Sequence, residues 1–201
     1  RGVDIAGIDW FVGRQEASSP PPHRGPAGAY PPYVRDIPEG ANLVDMLLAD
    51  ELDALMIPFP PRGFFGKESP LVHLFRDVRA VERDYYARVG YCPGIHVATL
   101  RRSVFERDPT IALRLYDAFE ESKRRWREER RVRMDTTPWL LLELEETAAL
   151  FGDDWQPNGV EANRRMLADF CAEQLAQGLV DTPLDPDAAF AEFQALRAAG
   201  A

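Results

Sequence analysis

The spacing of apolar positions changes several times along the chain, and each change marks an element. Ile8-Asp9-Trp10-Phe11-Val12 is short and rich in aromatic and β-branched residues, which predicts a β-strand. Tyr33-Val34-Arg35-Asp36-Ile37 predicts a second. Residues 13–32 between them hold Pro20-Pro21-Pro22, Pro26 and Pro31-Pro32 together with glycines, so a loop is expected there. After the turn Pro38-Glu39-Gly40, Asn42 caps a helix with Leu43, Val44, Leu47 and Leu48 on one side, running to about Asp50. Asp53-Ala54-Leu55-Met56-Ile57 then predicts a buried strand, stopped by Pro58.

The rest of the chain is mainly helical in pattern. Residues 76–88 predict a helix, broken between Gly90 and Pro93. Ile95 to Leu100 predicts a strand, with Arg101-Arg102 at its end. Ser103 opens a short helical turn. Asp108-Pro109 starts a long helix with Ile111, Leu115, Ala118 and Phe119 on one face. That helix ends in the charged run Lys123 to Arg133, expected to be a solvated face. Thr137-Pro138 opens a helix from Trp139 to Phe151. After the loop 152–159 come a helix from Val160 to Gln177, closed by Gly178, and a last helix from Asp187 to about Ala199. Only three or four strands can be counted, too few for a self-sufficient α/β sheet, so a sheet built from this chain alone is incomplete.

Composition narrows the class. With 201 residues and 45% hydrophobic positions, the chain has material for one or two globular domains. The net charge of −9 argues against a nucleic-acid partner or an anionic membrane surface, both of which select a basic face. No stretch has the ~18 apolar residues of a membrane span. Cys92 and Cys171 stand far apart and fit no metal-ligand spacing, so two reduced thiols are expected. No apolar run with a cleavage site opens the chain. These features give the expectation of a cytoplasmic protein. The first residue is Arg1 rather than Met, which suggests a piece of a longer polypeptide.

Phosphate-binding glycine loops, zinc-protease and nucleophile-elbow motifs are absent, and His23, His73 and His96 lie far apart, so no metal and no cofactor is expected. His96 stands out because it lies in an apolar stretch just before Arg101-Arg102. It is either a core histidine bonded to backbone or a general acid or base, since histidine titrates near pH ~6.5. Arg62, Arg101 and Arg102 follow predicted strands and could hold a carboxylate bidentately, or be solvated charges. Tyr85, Tyr86 and Tyr91 could line a pocket or simply pack. Residues 58–70 combine prolines and glycines with Phe59, Phe64 and Phe65 after a predicted strand end, where α/β sheets place ligands. Trp155, Asn158, Glu161, Asn163 and Arg164 form a polar-aromatic group at a helix start, with Asn158 or Gly159 as the expected cap.

The order of these features resembles the C-terminal part of the 4,5-dihydroxyphthalate decarboxylase family. The matching stretches begin with Ile37-Pro38-Glu39-Gly40, Leu43-Val44-Asp45-Met46-Leu47 and Glu51-Leu52-Asp53-Ala54-Leu55. They continue with Leu74-Phe75-Arg76-Asp77, Glu82-Arg83-Asp84-Tyr85-Tyr86, Gly94-Ile95-His96-Val97 and Leu100-Arg101-Arg102. Phe105-Glu106-Arg107-Asp108-Pro109, Gly152-Asp153-Asp154-Trp155, Gly159-Val160-Glu161-Ala162-Asn163-Arg164, Glu173-Gln174 and Gln177-Gly178-Leu179 complete the series. The chain departs from the pattern at Asn158, where an aromatic is expected, and in the proline-rich segment 18–32.

The resemblance implies an α/β fold of the type II periplasmic-binding-protein kind, here partial. Residues 1–75 would be part of the second lobe, residues 76–102 a hinge-crossing segment, and residues 103–201 the C-terminal helices of the first lobe. The partner is then the missing N-terminal lobe of the same protein. The implied activity is a carboxy-lyase reaction, conversion of 4,5-dihydroxyphthalate to protocatechuate and CO2. The alternative is a solute-binding protein of an ABC transporter for a small organic acid. For the enzyme, His96 is the expected acid. Arg62, Arg101 and Arg102 are the expected carboxylate ligands, and Tyr86 and Trp155 would flank the ring of a small aromatic carboxylate.

Overall fold

The structure, a computed structural model, describes residues 4, 7–22, 30–94, 96–133 and 138–200. His23, Ile95, Thr137 and part of the proline-rich loop lie outside the described residues. The chain divides into two units, one of residues 1–84 with 177–179, the other of residues 85–176 with 180–201.

In the first unit, β1 (Trp10–Val12) and β2 (Val34–Asp36) pair in parallel, with Trp10 opposite Val34, Phe11 opposite Arg35 and Val12 opposite Asp36. The Ile37 amide extends the ladder by donating to the Val12 carbonyl at 3.1 Å. Gly13 lies at the end of β1 against the Ile37 side chain, which would have to shift to admit a Cβ there. The chain then runs directly beneath a helix start. The amides of Leu43 and Val44 donate to the carbonyls of Arg14 and Gln15, both at 3.0 Å, so strand exit and helix entry satisfy each other. That helix, α1 (Leu43–Leu48), is capped as expected. The Asn42 side-chain oxygen accepts from the Asp45 amide at 3.0 Å, and its amide group donates to the Asp45 carboxylate at 2.6 Å. Asn42, Val44 and Met46 are buried.

Residues 53–57 were expected as a buried strand and are not one. They run without a strand partner, and Met56 is 87% exposed. An apolar run becomes a strand only where another strand edge accepts its ladder, and the two-stranded sheet of the described residues provides no such pairing here.

Helix α2 (Val78–Val89) begins in the first unit and ends in the second. The second unit continues with α3 (Arg102–Arg107), α4 (Thr110–Val132), α5 (Leu140–Phe151) and α6 (Val160–Ala176), then α7 (Pro186–Ala189) and α8 (Ala191–Gly200). The last two replace the single helix expected after Pro186. Asp185 caps the first by accepting from the Asp187 amide, and Phe190 separates them with a non-helical turn. Residues 96–100, expected as strand, form neither strand nor helix.

Few side chains are buried within either unit. Leu140 and Val160 are the buried apolar residues described in the second. On the predicted face of α4, Leu115 and Phe119 are exposed. Many large apolar side chains of the described residues stand exposed, Met56, Phe65 and Val72 among them.

Candidate functional site

The second unit gathers aromatic and cationic side chains where α4 meets the loop after α5. Gly152 ends α5 with a positive φ of 82° that a side chain would strain, and the chain turns into Asp153-Asp154-Trp155. Lys123, Arg127 and Arg131 recur every fourth residue on α4 and so share one face. Lys123 Nζ donates to Asp154 Oδ2 at 3.0 Å, Arg127 donates to Asp154 Oδ1, and Arg131 donates to Asp153 Oδ1 at 3.0 Å. The loop is therefore fastened to the helix by charge. Burial pushes the Asp154 carboxyl up, but the hydrogen bonds from Lys123 and Arg127 outweigh it and hold the group below the usual carboxylate range.

This fastening sets the indole of Trp155 edge-on to that of Trp126, with centroids 6.4 Å apart and planes at 73°. The Arg127 guanidinium lies over Trp155 at 5.6 Å and that of Arg130 over Trp126 at 5.7 Å. Leu144 and Ala148 of α5 complete a small pocket with these groups. The run from Lys123 to Arg133 is thus more than the solvated face expected from sequence, because Trp126 sits within it and meets Trp155. The readable signal was a tryptophan inside a basic run, one helical turn before Arg130.

The other expected site residues have separate neighbours. Tyr86 packs edge-on against Phe151, centroids 4.6 Å apart. Arg102 pairs with Glu192 of α8 at 2.7 Å. Arg101 precedes α3 with an exposed side chain, and His96 is exposed in a segment that is neither strand nor helix. Arg62 belongs to the first unit. Its amide donates to Glu16 Oε1 at 2.8 Å, and its side chain is exposed. Nearby, Gln15 Nε2 donates to the Phe59 carbonyl at 3.0 Å, and Phe64 stacks edge-on with Phe65 and His73. The aromatic loop is thereby folded onto itself and onto residues 15–16.

A second polar group ties the segment after α2 to α6. Tyr91 Oη donates to Asp169 Oδ2 at 2.8 Å, Arg165 donates to the Arg88 carbonyl at 3.2 Å, and Tyr85 stands edge-on to Tyr91. Burial and the hydrogen bond to Asp169 push the Tyr91 phenol far above its ordinary value, so it remains a donor. Asn158 does not cap α6. Its amide donates to Glu120 at 2.6 Å, and Asn163 folds back to the carbonyls of Pro157 and Gly159 at 2.7 and 2.8 Å. Among the described residues no group of three or more His, Cys, Asp or Glu side chains could hold a metal ion, and no helix is long and apolar enough to cross a membrane.

No protein-family model matches the chain. The chain is similar to a curated decarboxylase. That relative is the 4,5-dihydroxyphthalate decarboxylase of Comamonas testosteroni, 27% identical over 153 residues, or 74% of this chain. The chain spans about half the length of that relative, 46% of it.

Proposed function

We propose that the chain is the latter part of a non-oxidative decarboxylase of an aromatic dicarboxylate, converting 4,5-dihydroxyphthalate to protocatechuate and CO2. The observation that carries this reading is the similarity to the Comamonas testosteroni enzyme over 153 residues. The fold that goes with it is a two-lobed α/β clamp of the periplasmic-binding-protein kind, of which this chain supplies part. The large unburied apolar surface supports a further lobe of the same protein as the partner that covers it.

The chemistry sets the demands on the residues. A hydroxyl para to the departing carboxylate pushes electron density into the ring. An acid protonates the ring carbon that bears the carboxylate, the C–C bond breaks, and its electron pair returns to the ring as CO2 leaves. His96 is the proposed acid, with an exposed side chain that can meet a ligand. Arg101, whose side chain is exposed, is a proposed carboxylate ligand. Arg102 already carries a partner in Glu192 and would have to exchange it. Tyr86 and Trp155 are the proposed aromatic walls.

The test is incubation of the full-length protein with 4,5-dihydroxyphthalate, following CO2 and protocatechuate. Stoichiometric release of both is expected, and His96→Ala should lower turnover at least ~100-fold, the ordinary contribution of a positioned acid. Unchanged turnover in that variant removes His96 from the mechanism. Tight binding without CO2 turns the reading toward a solute receptor.

A further inference from the structure

One side of α5 supports both of the proposed aromatic walls. Leu144, Ala148 and Phe151 recur at i, i+4 and i+7, so they share a face of that helix. Leu144 and Ala148 line the small pocket with Trp155, and Phe151, one turn further on, meets Tyr86. Tyr86 and Trp155 lie far apart in sequence, yet both are set along the same side of one rigid element.

Each wall has its own holder. The Tyr86 and Phe151 rings stand edge to face, with 4.6 Å between centroids and 87° between planes. Such a pair fixes orientation, because the edge of one ring is attracted to the face of the other and rotation of either loses the contact. Phe151 is itself held. It is the last residue of α5, and the Gly152 amide closes that end by donating to the Ala148 carbonyl at 2.9 Å. Tyr86 lies near the end of α2, where its carbonyl accepts from the Gly90 amide at 2.7 Å. With both backbones bonded, side-chain rotation is the freedom that the ring pair suppresses. Tyr86 is half-buried, so part of it stays open to a ligand. Trp155 lies in a loop and has no helical bonds to hold it. Its neighbour Asp154 takes that task, fastened to Lys123 at 3.0 Å and to Arg127, whose guanidinium also lies over the indole at 5.6 Å.

We infer that Phe151 and Asp154 are positioning residues, Phe151 holding the plane of the Tyr86 ring and Asp154 the place of the Trp155 indole, so that both walls meet a flat ligand. The inference rests on the decarboxylase reading for the roles of Tyr86 and Trp155. A wall that is set wrongly loses contact with substrate and transition state alike, which weakens binding and spares the chemical step.

The test is steady-state kinetics of the protein with 4,5-dihydroxyphthalate. Phe151→Leu and Asp154→Asn should each raise KM about threefold or more and leave kcat within about twofold. Phe151→Tyr keeps the ring and should keep the parental KM. A merely structural role reads differently, since fewer folded molecules lower the maximal rate at unchanged KM. Double variants trace the route. Once Tyr86→Ala has been made, Phe151→Leu should add nothing to KM, and once Trp155→Ala has been made, Asp154→Asn should add nothing. If Phe151→Leu does not fold, Asp154→Asn with Trp155→Ala tests the inference through the other wall. A KM unmoved in the single variants, or effects that multiply in the double ones, overturns the positioning roles, while turnover by the parent leaves the decarboxylase reading standing. A parent that binds the compound without releasing CO2 ends the decarboxylase reading instead. The same variants are then read on Kd, where the same rise is expected and equal affinities overturn the positioning roles. A parent that neither binds nor turns over the compound overturns both.

Discussion

Replacing Asp154 with asparagine asks whether charge holds the Trp155 loop against α4. The carboxylate serves two cations at once, Lys123 at 3.0 Å and Arg127. Their side chains are well covered, 17% and 22% exposed, against 40% for Asp154 itself. An exposed pair contributes ~0.2–1 kcal/mol, and two pairs sharing one acid between well-covered cations fall toward the upper end. Allowing for solvent on the open side of Asp154, the substitution should cost about 1–2 kcal/mol. The sign with pH follows from the depressed carboxyl. Its contribution is fully present above the unfolded value of ~3.9 and is lost as pH falls through the lower native value. Urea unfolding of the protein, followed by tryptophan fluorescence, reads this directly. At neutral pH the midpoint of Asp154→Asn should lie roughly 0.5–1 M below that of the parent. The gap should narrow as pH is lowered below about 4, and also in about 1 M NaCl. Equal midpoints at neutral pH, or a gap just as wide in acid, would refute a loop fastened by charge.

Two other expectations are more local. Asn42→Ala removes a buried cap that both accepts from and donates to Asp45, and should destabilise the first unit by about 1–2 kcal/mol, with loss of α1 amide protection in hydrogen exchange. Glu121 receives hydrogen bonds from Arg124 and Arg125, which hold its carboxyl at about 2, so its side-chain carbon resonance should titrate there. A midpoint in the ordinary glutamate range would show that the Glu121 pairs with Arg124 and Arg125 do not persist in solution.

The helices were legible in the sequence and the strands only in part. Val160–Ala176 and Leu140–Phe151 fall within a residue of their expected limits, because helical hydrogen bonds close within the segment and its own residues set its ends. A strand depends on a neighbour that the local sequence does not describe. Residues 10–12 and 34–36 find each other and pair, while residues 53–57 and 96–100 have strand-like composition and no ladder. At the site, Trp155 was legible as an aromatic in a polar loop. Trp126 and Arg130 were not, since a run of charges on an acidic protein reads as solvated until the fold places an indole against it. The Asp153-Asp154 pair likewise becomes meaningful only beside Arg127 and Arg131.

The same reasoning accounts for the unburied surface. A parallel pair of strands is normally covered on both faces, yet here no residue of β1 or β2 is fully buried. Met56, Phe59, Phe65, Val72 and Leu74 of the first unit are all more than 70% exposed. Leaving so many large apolar side chains in water forgoes about 1.5–3 kcal/mol for each that could be buried. In the two-lobed proposal these apolar runs are the faces that the other lobe covers. The similarity to a relative of about twice the length points the same way. The two-lobed proposal predicts that a longer polypeptide carrying the other lobe protects Met56, slowing its oxidation by peroxide at least tenfold relative to the 201-residue chain. If Met56 oxidises equally fast in both, that covering does not exist and the two-lobed proposal loses its structural support.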